Sequence, residues 1–232
     1  MTITADIKKF PRKLLPENFE ITTWEALEPY FIELKERNIA SVNELENWLK
    51  DLSELEAVIT EDACWRQIKM TCDTTDKSLE EAFNFFYTEI QPKIQPYADA
   101  LNKKLINSAY VSGLNQEKYF THLRSVKNSI ELFREENIPL FSELSVQQQQ
   151  YGVITGGMTV TVNDKELTLQ QAAKFLENPN RALREEVYRK INERRLVDKD
   201  QLNTLFSSLL EKRQKIAANT GFSNYRDYKF RE

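Results

Sequence analysis

The sequence predicts a mainly α fold, a bundle-like assembly of several helices with one small β-hairpin near residues 151–168. Three observations support this prediction. Apolar residues recur three and four positions apart through most of the chain, a spacing typical of amphipathic helices. Glycine and proline are scarce, at 5 and 7 of 232 residues, so few tight turns are expected. Only between Tyr151 and Leu169 does the apolar period shorten, from roughly 3.6 to about 2.

The N-terminal part of the chain begins with a segment that is unsuited to a helix. The first 21 residues are predicted to form an extended arm, because Pro11 and Pro16 disfavour helical backbone there. Capping-box patterns at Thr22 and Ser41 then predict two helices. The first is expected to reach about residue 37, and the second, a long one, about residue 70.

Between residues 72 and 140 the sequence predicts further helical segments. A stripe of apolar residues marks the buried face of the first of them: Leu79, Ala82, Phe83, Phe86 and Ile90. Pro92 and Pro96 predict a junction, after which the chain continues as a helix to about residue 106. Another amphipathic helix is predicted from about residue 116 to residue 136, before Pro139.

The predicted hairpin has a β-branched residue at every position of its first strand, Thr159–Val162. Asn163 and Asp164 supply the turn, because both residue types tolerate left-handed backbone. Residues 166–168 run back as the second strand, and Thr168 begins a capping box for the next helix. Because an isolated two-stranded hairpin is marginal in water, this one is expected to lie against helices or to pair with further strands.

The C-terminal part is predicted to contain two long helices. Asn178 as N-cap, followed by Pro179, predicts the start of the first, which carries a charged outer face within 181–195. The second is predicted from residue 199 to residue 219 and ends at Gly221. The chain is accordingly divided into an extended arm, 1–21, an N-terminal helical region, 22–140, and a third part, 141–232, with the hairpin and the following helices.

Composition argues against several classes of partner. The net charge is −4, and basic residues are interleaved with acidic ones, which is unsuited to binding a nucleic-acid backbone. No apolar run approaches the roughly 20 residues of a membrane span, and no secretory signal is recognisable at the start. Cys64 and Cys72 are expected to be reduced thiols in a cytoplasmic protein, with a disulfide as the alternative.

Three segments resemble a known family. TWEALEPYFIELKERNI and TVNDKELTLQQAAKFLENPNRALREEVYRKINERR are similar to segments of oligoendopeptidase F-like zinc metallopeptidases, of the thimet oligopeptidase group. The third, LLEKRQKIAANTGFSNYRDYKF, is the most specific, because the family pattern matches in register at Arg213, Ile216, Ala217, Gly221, Asn224, Tyr225, Asp227 and Tyr228. The resemblance extends from about Trp24 to the last residue.

The resemblance implies a zinc-dependent endopeptidase that cleaves internal bonds of short peptides. In that family, zinc is held by H-E-x-x-H on a helix and a further glutamate. This sequence has no such motif, and its single histidine, His122, has no acidic neighbour. We therefore expect the chain to be the N-terminal part of such a peptidase, inactive alone and without a bound zinc. Its expected partners are a peptide substrate and the missing C-terminal catalytic region, with no catalytic or metal-binding residue in this chain.

The hairpin is the best candidate for contact with substrate. A strand with an open edge binds an extended peptide through main-chain hydrogen bonds, and glycines allow close approach of another backbone. On this ground Gly156, Gly157, Thr159 and Thr161 are predicted to bind substrate. The alternative is that the glycines only ease the change from helix to strand.

Other features have two interpretations each. The arginines within 181–195 could bind a peptide carboxylate or form a solvated helix face. Phe85 and Tyr87 lie off the apolar stripe and could pack on a missing part. The alternative for the whole chain is a non-catalytic helical module that binds peptides or proteins. A part of a larger fold should expose a contiguous apolar patch, whereas a self-sufficient module should not.

Overall fold

The computed structural model describes residues 11–232, and within them the mainly α class with one hairpin is confirmed. The described residues form ten α-helices and two strands: α1 Trp24–Glu36, α2 Val42–Cys72, α3 Lys77–Phe85, α4 Gln91–Ile106, α5 Gln116–Leu132, α6 Ile138–Gly156, β1 Thr159–Val162, β2 Lys165–Thr168, α7 Leu169–Ala173, α8 Arg181–Val197, α9 Lys199–Asn219 and α10 Tyr225–Arg231. A π-helical turn, Phe86–Ile90, joins α3 to α4.

The chain forms two compact units. The first comprises the described residues up to Gln67, together with Glu89–Phe133 and Glu232. The second comprises Ile68–Thr88 and Arg134–Arg231. The predicted partition at residues 21 and 140 stays a prediction, and the first ten residues of the predicted arm lie outside the described residues.

In the first unit, α1 packs against α4, and α4 packs against α5. Trp48 of α2 is fully buried, and its indole Nε1 donates to the carbonyl oxygen of Leu34 at 2.8 Å. The described part of the arm, from Pro11 to Ile21, contains no helix, as predicted.

Polar contacts with α2 hold the arm: Arg66 donates to the carbonyl oxygen of Ile21 at 2.7 Å, and one carboxylate makes three further bonds. Glu54 accepts hydrogen bonds from the backbone amides of Lys13, Leu14 and Leu15, at 2.8, 2.9 and 2.8 Å. Leu15 is buried, so the arm contributes an apolar side chain as well as these polar contacts. These three amides belong to an irregular segment and have no partner in a helix or strand. They donate instead to a carboxylate, and hydrogen bonds to a charged acceptor are stronger than those between neutral groups.

In the second unit, the face of the hairpin that carries Val160 and Val162 packs on α7 and α8. The buried cluster there consists of Met158, Val160, Val162, Leu169, Ala172, Val187 and Ile191. The start of α6 is joined to the end of α9 through Asn137, whose amide donates to the carbonyl oxygen of Ile216 at 3.2 Å. Asn219 donates to the Asn137 side-chain oxygen at 2.7 Å, so this buried amide is satisfied as both donor and acceptor.

Helix α9 ends before Gly221, as the sequence predicted. Gly221 has φ +85°, and its amide donates to the carbonyl oxygen of Ala218 while Phe222 donates to Ala217. These two bonds are those of a Schellman motif, which ends the helix. Asn224 then begins α10, because its side-chain oxygen accepts from the amide of Asp227 at 2.9 Å.

Several predicted boundaries were wrong, each for a local reason. The helix α6 continues to Gly156, so residues 151–156 are helical and the hairpin occupies only 159–168. The N-cap of α8 is Asn180 and not Asn178, since the Asn180 side chain accepts from the amides of the first turn. Helix α1 is capped by Thr23, one residue after the predicted Thr22.

The junction predicted at Pro92 is also different. Backbone from Lys77 to Ile106 stays helical, with the π-helical turn immediately before α4. Pro92 has no N–H, so it cannot donate the usual helical hydrogen bond to the carbonyl four residues earlier. That carbonyl lies within the wider π-helical turn. Helix α5 ends at Leu132, and a short 3₁₀ turn, Glu135–Asn137, replaces the predicted last turn.

Candidate functional site

The hairpin is built by its turn. Asn163 and Asp164 have φ of 49° and 59°, so both central residues of the two-residue connection are left-handed. Such a turn matches the twist of antiparallel strands. It sets the register in which Val162 lies opposite Lys165 and Thr159 lies opposite Thr168. The turn predicted from the sequence is confirmed.

The strand β1 has one apolar face and one polar face. Val160 and Val162 are buried in the cluster of the second unit, 9% and 1% exposed. Thr159 and Thr161 alternate with them and point to the opposite face. The Thr159 hydroxyl donates to the Glu166 carboxylate at 2.6 Å across the hairpin. Helices α7 and α8 therefore support β1 from behind, while the threonine face stays accessible.

The outer edge of β1 is available for pairing. In a hairpin with a two-residue turn, the pair next to the turn, Val162 and Lys165, exchanges backbone hydrogen bonds, and the next pair does not. The amide and carbonyl groups of Thr161 and Thr159 therefore point away from β2. Within the described residues the sheet has only these two strands, so no strand occupies this edge.

One side chain reaches this edge. Lys190 of α8 donates to the carbonyl oxygen of Thr161 at 2.9 Å and to the Glu186 carboxylate at 2.6 Å. The sequence analysis did not single out Lys190. Its spacing from Glu186 indicates an ion pair along the helix, but the contact with a strand 29 residues away depends on the tertiary fold.

The two glycines of the predicted site lie where α6 ends. Gly156 is the last residue of α6, and Gly157 caps it with φ −78°. A Cβ atom on Gly156 would meet the Thr74 hydroxyl at 3.5 Å, an ordinary contact, and one on Gly157 would lie 3.3 Å from the carbonyl oxygen of Val153. Neither glycine is required by a positive φ. That Gly156, Gly157, Thr159 and Thr161 bind substrate stays a prediction.

The arginines of α8 make local contacts. Arg184 donates to the carbonyl oxygens of Asn178 and Pro179, at 2.7 and 3.0 Å, and so caps the preceding turn. Arg189 pairs with Glu185 at 2.8 Å, and this hydrogen bond raises the pKa of Arg189. These contacts favour the interpretation of a solvated helix face for the two arginines.

The remaining candidate residues show no assembled site. His122 lies exposed on α5, and Cys64 and Cys72 are free and exposed on α2. Among residues 11–232, no group of three or more His, Cys, Asp and Glu side chains is arranged to hold a metal ion. Tyr87 packs on Phe83, with ring centroids 4.6 Å apart, whereas Phe85 is 36% exposed.

The second unit also has an apolar groove on α9, a feature that the sequence analysis missed. It has a volume of about 530 Å³ and is lined mainly by apolar side chains, with Gln148 and Tyr151 on α6 and Leu202, Asn203, Leu205, Phe206, Leu209 and Arg213 on α9. Two aromatic side chains in this lining, Tyr151 and Phe206, are each 58% exposed. The spacing of apolar residues three and four apart on α9 indicates an apolar helix face. It could not show that no other described element packs on that face.

Comparison with protein-family models identifies the family of this chain. The model of the peptidase M3 N-terminal domain matches residues 16–133, which is just over half of the sequence. The chain belongs to the peptidase M3 family. The family resemblance drawn from the sequence is therefore confirmed. A comparison with curated proteins gives no match.

Solved structures share the fold of this M3 chain. An oligoendopeptidase F solved at 3.1 Å resolution is 20% identical over 95% of the chain, with a TM-score of 0.84. PZ peptidase A with an inhibitor is 18% identical over 94%, and an assigned oligoendopeptidase F from Bacillus anthracis is 20% identical over 95%, each with a TM-score of 0.83. The M3 chain covers 39%, 39% and 41% of these three chains. No helix among residues 11–232 is long and apolar enough to cross a bilayer.

Proposed function

We propose that this M3 chain is the N-terminal portion of a zinc-dependent oligopeptidase that cleaves internal bonds of short peptides. In this proposal the chain forms one wall of the substrate channel, in a cytoplasmic enzyme. The observation that carries the proposal is the match to the M3 N-terminal domain over residues 16–133. The fold shared with peptidases over 94–95% of the chain supports it.

The residues of this chain do not fit a zinc site. Its single histidine is exposed on α5, and the described residues contain no cluster of ligands. Zinc would activate the attacking water in the complete enzyme, as it does in H-E-x-x-H peptidases, with ligands that other residues supply. The work of this chain is then to bind and orient the peptide.

The open edge of β1 is suited to that work. An extended peptide that adds to β1 would bond to the amide of Thr161 and to the amide and carbonyl of Thr159. Main-chain hydrogen bonds of this kind give affinity with little sequence preference. Lys190 already occupies the carbonyl oxygen of Thr161, so the peptide either shares that acceptor or displaces the ammonium group. Gly156 and Gly157 would allow the peptide backbone to approach closely.

The alternative, a non-catalytic helical module, makes a different prediction about the surface. A self-sufficient module would cover its apolar faces, whereas the α9 groove leaves two aromatic rings more than half exposed. The groove therefore favours a chain that packs against further protein.

A hydrolysis assay tests the proposal. An internally quenched fluorescent peptide is incubated with the full-length product of the parent gene, with and without a metal chelator, and separately with the 232-residue chain. We expect chelator-sensitive cleavage that zinc restores in the long product, and none in the chain alone. Absence of cleavage in the long product, or zinc-dependent cleavage by the chain at one metal per chain, would overturn the proposal.

A further inference from the structure

The α9 groove, lined by Tyr151, Leu202, Leu205, Phe206, Leu209 and Arg213, is an unfilled apolar surface within the second unit. Its α9 residues span about three helical turns, or roughly 17 Å. Leu210, 47% exposed on the same helix, follows the lining residue Leu209. Leu205 and Leu209 are buried at 8% exposure each, so the exposed apolar surface of the lining is chiefly that of Tyr151 and Phe206. Single exposed apolar residues are ordinary on a protein surface, but neighbouring ones around a groove are typical of a contact surface.

The contrast with Phe120 shows what is particular to the groove. Phe120 on α5 is 59% exposed, almost the same fraction as Phe206. Its ring, however, is covered from one side by the Arg124 guanidinium, 5.7 Å from the ring centroid, which is the arrangement of a surface cation–π pair. Phe206 instead lies in a cavity of about 530 Å³ among leucines.

The shape and charge of the groove indicate what fills it. Residues three and four apart on a helix form ridges, and the grooves between these ridges receive the side chains of another helix. An amphipathic helix binds such a groove through its apolar face. Arg213 carries the only charge among the lining residues. The partial negative charge at a helix C-terminus, or an acidic side chain, is therefore favoured at the Arg213 end.

We infer that this groove is filled by an amphipathic helix of the same peptidase, from the part that lies outside the present chain. This inference rests on the proposed function. Three solved chains share the fold of nearly all of this chain. This chain, however, covers only 39–41% of the length of each of them. The uncovered length of those chains exceeds the covered length, so it is long enough to supply a covering helix, and the cover places the α9 face in the interior of the complete enzyme.

Hydroxyl-radical footprinting of the full-length gene product tests this inference without using activity. Phe206 and Phe120 start from nearly equal exposure, so Phe120 is an internal reference in the same molecule. We expect Phe206 to be oxidised several-fold more slowly than Phe120 when the groove is covered, because the covering helix removes the Phe206 ring from solvent. Equal rates would overturn the inference. So would protection that disappears on dilution, since it would assign the cover to a second copy.

A pair of variants separates this inference from the proposed function. In the full-length product, Phe206→Glu is expected to lower the thermal midpoint, whereas Phe120→Glu leaves it unchanged. If the wild-type product cleaves peptide while Phe206 oxidises as fast as Phe120, the groove inference fails and the proposed function stands. If Phe206 is protected but no peptide is cleaved, the reverse holds. Should Phe206→Glu not fold, the wild-type footprint still decides.

Discussion

The ammonium group of Lys104 lies 2.8 Å from the carbonyl oxygen of Leu34, at the C-terminal end of α1. It also donates to the carbonyl oxygens of Lys35 and Arg37, at 2.8 and 2.6 Å. The last carbonyls of a helix have no partner within it, and a cation is favoured there by the helix dipole. One side chain of α4 thus bonds to two carbonyls of the last turn of α1 and to the carbonyl of the capping residue Arg37. Burial lowers the pKa of Lys104, and the neighbouring Arg37 lowers it further.

Replacing Lys104 by methionine should destabilise the first unit. The substitution keeps the length of the side chain but removes the donor of the Lys35 and Arg37 carbonyls, whereas the Leu34 carbonyl keeps its bond from the Trp48 indole. The expected cost is about 2 kcal/mol. Lys50→Met is the control, because Lys50 is exposed on α2 and contacts only the Asn47 side chain, at 3.2 Å. Urea unfolding followed by tryptophan fluorescence measures both. Equal midpoints for the two variants would contradict the role of Lys104.

Two glycines should respond to alanine with opposite signs. Gly221 has φ +85°, where a Cβ costs about 1–2 kcal/mol, so Gly221→Ala is expected to destabilise. Gly152 lies inside α6 with open space around its Cβ position, so Gly152→Ala is expected to stabilise by about 1 kcal/mol. Calorimetric midpoints check the pair. A stabilising effect at Gly221 would show that the Schellman motif does not end α9.

The N-terminus of α3 should show a dependence on pH. The Asp76 carboxylate accepts from the hydroxyl and the amide of Ser78, at 2.7 and 2.8 Å, and these bonds lower the pKa of Asp76. Because the pKa is lower in the folded state, the contribution of Asp76 is present above its unfolded pKa and is lost as pH falls through its folded pKa.

Asp76→Asn keeps a capping oxygen but not the charge, so it isolates this effect. We expect the wild type to have the higher thermal midpoint near neutral pH, and the difference to vanish as pH is lowered from about 6 to about 2. Circular dichroism melts of the two proteins at each pH measure it. A difference that is constant over this range would show that the charge of Asp76 is irrelevant to folding.

The two edges of the hairpin can be tested against each other. Thr161 and Glu166 lie opposite one another as a pair without mutual backbone bonds, so the amide of each faces its own outer edge. Proline is tolerated where a strand amide faces outward. If peptide adds to β1, Thr161→Pro should weaken peptide binding by about tenfold, the loss of the one hydrogen bond that the Thr161 amide donates.

Glu166→Pro is the matched control on the β2 edge. It should leave peptide affinity nearly unchanged, although it lowers hairpin stability more than Thr161→Pro does, because it also removes the acceptor of the Thr159 hydroxyl. Affinity is measured with a fluorescent peptide on full-length, chelator-treated protein, so that binding is read without cleavage. Equal losses in the two variants would exclude an edge-specific role for β1.

Local signals explain what the sequence predicted well. Gly221 marked the end of α9, Asn163 and Asp164 marked the hairpin turn, and the Thr168–Gln171 capping box is present with both of its hydrogen bonds. Each of these depends on the conformational preference or the hydrogen-bonding capacity of residues within one turn of the chain.

Tertiary contacts explain what it missed. Residues 151–156 were predicted to belong to the hairpin region, but they continue α6, and packing of α6 against α9 outweighs a glycine penalty of about 1 kcal/mol at Gly152. The contact between Lys190 and Thr161 joins residues that are 29 positions apart in the sequence. The α9 groove depends on how α6 and α9 pack and on the absence of another described element over them. Neither is encoded in a local pattern.

The contact of Glu54 with the arm constrains the order in which the chain assembles. Residues 13–15 leave the ribosome before their acceptor, Glu54, which lies 39–41 residues later in the sequence. Their amides remain bonded to water until that part of α2 has been synthesised and has become helical. Closing a loop of about 40 residues costs entropy, which the bonds to Glu54, the Arg66 bond to the Ile21 carbonyl and the buried side chains of Leu15 and Ile21 must offset. Docking of the arm is therefore expected to be a late event in co-translational folding, and early helices must form without it.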